Sequence, residues 1–123
     1  MRAVLVLTSV AVLFALSQAR AGDPVLGEQQ FAPCSGCHTV TAEGGDGVGP
    51  SLHGLFGRKS GSNADFSYSS AMKAAGIVWN EDTLTKFLAD PGALVPDNKM
   101  SFIGVADAQV RANIIAYLKV ATK

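Results

Sequence analysis

Cys34-Ser35-Gly36-Cys37-His38 holds both cysteines of a 123-residue chain. Two thiols three positions apart, followed at once by an imidazole, suit several chemistries. They could form a redox disulfide, half of a zinc site, a buried thiol pair or an attachment point for a cofactor. The sequence on either side decides among these.

Upstream, residues 1–22 read MRAVLVLTSVAVLFALSQARAG. A basic start at Arg2 precedes an apolar run from Ala3 to Leu16, and Ala19-Arg20-Ala21 has the small-residue pattern of a cleavage site. This is the layout of a secretory signal peptide. The apolar run is short of the ~20 residues needed to span a bilayer. The expected division is a cleaved leader at 1–21 and a single domain at 22–123. Ten basic residues balance ten acidic ones in the whole chain. Arg2 and Arg20 leave with the leader, so the mature chain is slightly acidic. Nucleic acid and anionic membrane surfaces are therefore poor partners. Export places the protein in an oxidising compartment, expected here to be the periplasm. A Cys34–Cys37 disulfide would close only a tiny loop and would stabilise little.

Downstream, the pattern predicts an all-α domain. A first helix is expected over Pro24–Ala32, capped by Asp23 with Pro24 in its first turn. Gly27 and Phe31 share one of its faces. A second, short helix is expected over Ser69–Ala75 with Gly76 as its stop. A third starts after Asn80, carries Leu84, Phe87 and Leu88 as an apolar stripe, and ends at Pro91. A fourth covers Asp107–Lys119, with Val110, Ile114, Tyr117 and Leu118 on one face. No period-2 pattern competes. Between His38 and Asp65 no element is expected, and glycines stand at 44, 45, 47, 49, 54, 57 and 61. Such a loop is long for a compact domain. Four short helices also make a modest core for roughly 100 residues. A large, flat, apolar cofactor would fill the middle and order the loop, with glycine permitting close approach.

Cys-x-x-Cys-His is the attachment signature of c-type haem. The two thiols can form thioether bonds to the porphyrin vinyl groups, and His38 then lies under the iron. The rivals fit less well. A thioredoxin-like pair expects a βαβ context. A zinc site needs four ligands, and His38 and His53 lack the usual spacing. Met72, Met100 and His53 are the candidates for a second axial ligand. Met72 sits in a predicted helix and reads as a core filler. His53 reads as a loop histidine, although bis-His ligation would lower the potential. Met100 lies in VPDNKMSF, an extended loop from which a methionine can reach an open iron face. Ordinary core packing is the alternative for Met100.

With CSGCH, GVGPSLHGLFGRKSG, FSYSSAMKAAGIVWNEDTL, PDNKMSF and IIAYLK in order, the chain resembles a class I cytochrome c over residues 22–123. The resemblance implies four to five short helices and long glycine-rich loops wrapped around one covalent haem c. It matches Cys34 and Cys37 to the thioether cysteines and His38 and Met100 to the axial iron ligands. Pro50 would supply the carbonyl that fixes the imidazole, and Arg58, Tyr68 and Trp79 would hold the propionates. Gly27 and Phe31, with Ile114 and Tyr117, match a helix crossing that closes the fold. The implied function is a monomeric electron carrier without stable membrane insertion. It would shuttle between a quinol-cytochrome c oxidoreductase in the membrane and a terminal oxidase or reductase. A haem enzyme or gas-binding protein would instead need an open sixth position.

The departures from the family pattern are local. Phe87 stands where many relatives have tyrosine, Met72 where many have asparagine, and Asn98 where many have threonine. A less polar pocket near the methionine is the expectation, without the buried water of the relatives. Asp97 replaces a common glycine, so a different loop backbone is expected there. The positions matching the lysine ring of mitochondrial relatives are mostly not basic here, for example Pro33, Gly47, Gly92 and Asp107, with Lys99 an exception. A weakly charged docking face follows.

Overall fold

The computed structural model describes residues 20–123. The leader expected at residues 1–21 lies outside the described residues except for its last two. Among the described residues six α-helices appear in chain order: α1 Pro24–Gln30, α2 Ala32–Ser35, α3 Ser70–Ala74, α4 Glu81–Ala89, α5 Pro91–Leu94 and α6 Ala108–Ala121. A single 3-10 turn covers Ala42–Gly44. Among the described residues there is no strand, only an isolated antiparallel bridge between Lys59 and Val78. No described helix is long and apolar enough to cross a membrane.

The helix starts follow from capping chemistry. Asp23 accepts from the Val25 and Leu26 amides, and Asp107 from those of Gln109 and Val110. At α4, Asn80 and Thr83 form a reciprocal capping box, which satisfies two otherwise orphaned donors. The first predicted helix is broken at Phe31, because Pro33 has no amide hydrogen and its ring crowds the carbonyl four residues back. A separate turn, α2, restarts and carries Cys34. Likewise Pro91 does not simply end α4. It opens α5, where Asp90 accepts from the Ala93 amide at 3.1 Å. Proline fits a first helical position, where the amide has no partner in any case.

The first and last described helices meet at the crossing of α1 and α6. A β-carbon on Gly27 would sit 1.9 Å from the Asn113 carbonyl oxygen, so only glycine allows this approach. The Phe31 and Tyr117 rings pack beside it with centroids 5.4 Å apart. Asn113 lies buried in the crossing. Its Oδ1 accepts from the Asp23 amide at 2.9 Å and from Gln109 Nε2 at 3.1 Å, and its Nδ2 donates to Gln30 Oε1 at 3.1 Å. The buried core joins this crossing to Leu55, Trp79, Leu84, Phe87, Val95 and Leu118.

The segment from His38 to Asp65 is irregular but anchored by backbone hydrogen bonds. Gly54 donates to the Thr122 carbonyl at 2.6 Å and Gly57 to Trp79 at 2.8 Å, while Ser60 donates to Ile77 at 2.7 Å. The segment is thereby fastened to the last helix and to the approach to α4. Both anchors place it along the cavity described next.

Candidate functional site

The CSGCH segment is a tight helical turn. The Cys37 and His38 amides both donate to the Cys34 carbonyl, at 3.1 and 3.0 Å. This turn brings Cys34, Cys37 and His38 onto the wall of one cavity of about 290 Å³. Pro50, Arg58, Tyr68, Trp79 and Met100 line the same cavity. All eight residues singled out from the sequence therefore line one cavity. The remaining wall is largely apolar, with Leu52, Leu55, Leu84, Phe102 and Leu118 among its residues. An apolar hole in the middle of a small domain is what a hydrophobic cofactor would fill.

His38 Nδ1 lies 2.8 Å from the Pro50 carbonyl oxygen. A carbonyl only accepts, so Nδ1 carries the proton and Nε2 is left as a free donor pair for a metal. A hydrogen bond of this kind fixes both tautomer and ring orientation. Gly49 makes the arrangement possible. A β-carbon there would fall 2.5 Å from His38 Cε1 and 2.8 Å from Nδ1. Its amide also donates to the Cys37 carbonyl at 2.9 Å, so the glycine loop is laced to the CSGCH turn.

The two thiols are unbridged. Burial pushes the Cys34 thiol above its ordinary pKa, and the neighbouring Cys37 adds to the effect. A dithiol oxidoreductase needs the opposite, a thiol whose pKa is lowered so that the thiolate can attack. Among the described residues no group of three or more His, Cys, Asp or Glu side chains could hold a metal. Soft and imidazole donors beside an apolar cavity fit haem instead.

Arg58 donates from its two terminal nitrogens to the carbonyls of His53 and Ser51, each at 2.9 Å. Two of its five N–H donors are thus used, and the others are left for an anionic group. Trp79 is buried and packs on Phe87 with ring centroids 5.1 Å apart. Tyr68 packs edge-on against Phe66 at 4.9 Å. Of the three candidates for a second ligand, Met100 and Met72 line the cavity and His53 does not. Met72 lies on α3 and packs against the core, and His53 is exposed.

The pattern around Met100 differs from expectation in one place. Asp97 keeps the left-handed backbone at φ 64°, the region glycine would occupy without strain. The loop therefore retains a glycine-like backbone despite the side chain. Phe87 and Met72 present no polar group, and Asn98 does not line the cavity. The Asn98 amide is spent on backbone partners, with Nδ2 donating to Pro91 and Val95 and Oδ1 accepting from Met100. Sequence reasoning missed this use of Asn98, as it missed Asn113 and Gly49. The signals available were a polar residue amid an apolar stripe for Asn113 and the Gly-Pro pair for Gly49.

A helical shell around an apolar cavity, with Cys-x-x-Cys-His on its wall, defines a haem-bearing electron-transfer protein. The cytochrome c family model matches residues 24–122, and the chain belongs to that family. It is 45% identical over 112 residues to cytochrome c2 of Rhodomicrobium vannielii, covering 91% of this chain and 90% of that one. It is 49% identical over 89 residues to cytochrome c2 iso-2 of Magnetospirillum fulvum, covering 72% of this chain and 92% of that one. The structure of cytochrome cH from Methylobacterium extorquens superposes with a TM-score of 0.75 at 44% identity, covering 80% of this chain and 98% of that one. The family carries one covalently attached haem c and transfers electrons rather than acting as an enzyme.

Proposed function

We propose that the chain is a periplasmic carrier of single electrons, with haem c bonded through Cys34 and Cys37 and ligated by His38 and Met100. The observation that carries the ligand set is the 2.8 Å contact between His38 Nδ1 and the Pro50 carbonyl. It leaves Nε2 as the only imidazole nitrogen able to bind iron, in a cavity shared with both cysteines and Met100. Haem supplies the one-electron change when bound. The chain's own residues hold it there and fix its surroundings. Arg58, Tyr68 and Trp79 are assigned to the propionates, and the unused guanidinium donors of Arg58 suit that task.

His38 and Met100, both on the cavity wall, would hold the iron and leave no position on it for a substrate, which favours a carrier over a peroxidase or gas sensor. The electron would come from a membrane quinol-cytochrome c oxidoreductase and go to a terminal oxidase or reductase. Contact with those partners would be transient, made by a monomer without stable membrane insertion. The exposed residues at the cavity mouth are Pro33, Cys37, Val48, Lys99 and Ser101. Lysine 99 is the sole charge among them. Val48 is 81% exposed, and Ile103, close in sequence to Ser101, is 92% exposed. An apolar, weakly charged docking face is supported by this composition.

Cleavage after Ala21 rests on the Ala19-Arg20-Ala21 pattern. A β-carbon on Gly22 would fall 2.0 Å from the Ala112 carbonyl oxygen, so a bare backbone at that point lets the new N-terminus lie on α6. Intact mass of the exported protein would read the cleavage site directly. For the ligand set, the ferric spectrum should be low-spin with the far-red band of methionine-ligated haem. High-spin iron that binds carbon monoxide readily would overturn the carrier reading.

A further inference from the structure

Met100 sits in a short loop after α5, and one side chain ties that loop together. Asn98 Nδ2 donates to the Pro91 carbonyl at 3.1 Å and to the Val95 carbonyl at 2.8 Å. Its Oδ1 accepts from the Met100 amide at 2.8 Å. The partners fix which end of the amide is which, because carbonyls only accept and an N–H only donates. Asn98 therefore connects both ends of α5 to the backbone of Met100. Its own amide adds a bond to the Val95 carbonyl at 3.2 Å. The flanking residues are constrained as well. Asp97 is held left-handed, and Lys99 Nζ donates to the Ser67 carbonyl at 3.0 Å.

A hydroxyl could not reproduce this. Serine or threonine offers a single O–H, on a shorter stem, against two carbonyls and one amide. Asn98 is not among the cavity-lining residues, and its Nδ2 and Oδ1 are engaged with backbone partners. Its contribution acts through the position of its neighbour.

We propose that Asn98 is the positioning residue for Met100, holding the backbone so that the thioether stays on the iron and resists displacement by outside ligands. The inference rests on the His38/Met100 reading above. A loop residue that merely stabilises the fold would affect unfolding alone. A positioning residue changes the competition at the iron in the folded protein.

The test uses purified haem-loaded protein, as wild type, Asn98→Asp and Asn98→Ala. Aspartate keeps an acceptor for the Met100 amide but turns a carboxylate oxygen toward the Pro91 and Val95 carbonyls. Alanine removes all three side-chain bonds without adding charge, and serves if the aspartate variant does not fold. Imidazole is titrated into the ferric protein and followed by loss of the methionine–iron charge-transfer band. Both variants should bind imidazole roughly tenfold more tightly, the factor for ~1.4 kcal/mol and about what one to two lost hydrogen bonds supply. Unchanged imidazole affinity in both variants, with only a lower unfolding midpoint, would overturn the proposal. A wild-type protein lacking the charge-transfer band would instead overturn the His38/Met100 reading, and this inference with it.

Discussion

Gly27→Ala pits helix propensity against packing, and the structure says which wins. Alanine is favoured over glycine within a helix by about 1 kcal/mol. Gly27 lies inside α1, so on an open surface the change would stabilise. Here the new β-carbon would sit 1.9 Å from the Asn113 carbonyl oxygen, 2.5 Å from its carbon and 2.8 Å from Tyr117 Cβ. Two of these atoms are backbone of α6 and cannot swing aside. To reach ordinary contact, α1 must withdraw by roughly 1.5 Å, in an interior packed as tightly as a molecular crystal. That movement loosens Phe31 from Tyr117 and strains the Asn113 bonds across the crossing. Loss of packing of this kind costs about 2–4 kcal/mol. Net of propensity, we expect ~2 kcal/mol of destabilisation and a melting point lower by roughly 8–16 °C. Gly36→Ala is the control, since a β-carbon there meets nothing within 4 Å and the backbone is right-handed. It should be neutral or slightly stabilising. Guanidinium unfolding of both holoproteins checks the pair. If Gly27→Ala matched Gly36→Ala in stability, the close crossing would not govern the fold.

Asp97→Gly should stabilise the protein by about 0.5–1 kcal/mol, because relief of the left-handed φ of 64° outweighs the extra unfolded-state entropy of glycine; a lower unfolding midpoint would contradict this. Phe87→Tyr puts a hydroxyl on a cavity wall where Asn98 is already engaged, so the reduction potential should move measurably, and an unchanged potential in voltammetry would show that the site is not tuned there. Electron transfer to the native partner should depend little on added salt, as a mouth with one lysine requires; a steep fall in stopped-flow rates would point to charged docking.

How much could be read from the sequence differs from place to place. Of the four longer helices, α1 and α4 were legible from a cap joined to an apolar face, α6 from its apolar stripe and α3 from its glycine stop. The one-turn helices α2 and α5 were not. Both have a proline in the first turn, and proline marks either the end of one helix or the start of another. The distinction depends on which carbonyls lie nearby in space. The eight residues proposed for the site were named through the motif and the family likeness, and they line one cavity. The supporting residues were hidden for a common reason. Asn98 and Asn113 act on backbone amides and Gly49 on the His38 ring, and a sequence does not display which distant atoms its residues will meet. The loop after His38 shows a related limit. Its glycines suggested that a cofactor must order it, yet much of its order comes from carbonyls of Thr122, Trp79 and Ile77.

Asn113 joins the Asp23 amide across 90 residues of chain. Closing a loop of that length costs ~4 kcal/mol beyond a constant. The bond cannot exist until nearly the last residues are available. The crossing of α1 and α6 is thus a contact that only a nearly full-length domain can make. Until α6 is in place the cavity beside the Cys34–His38 turn lacks the wall that α6 supplies. Closure afterwards puts Ile114 and Leu118 against the cavity. The last helix thereby completes a cavity whose other walls come from earlier in the chain.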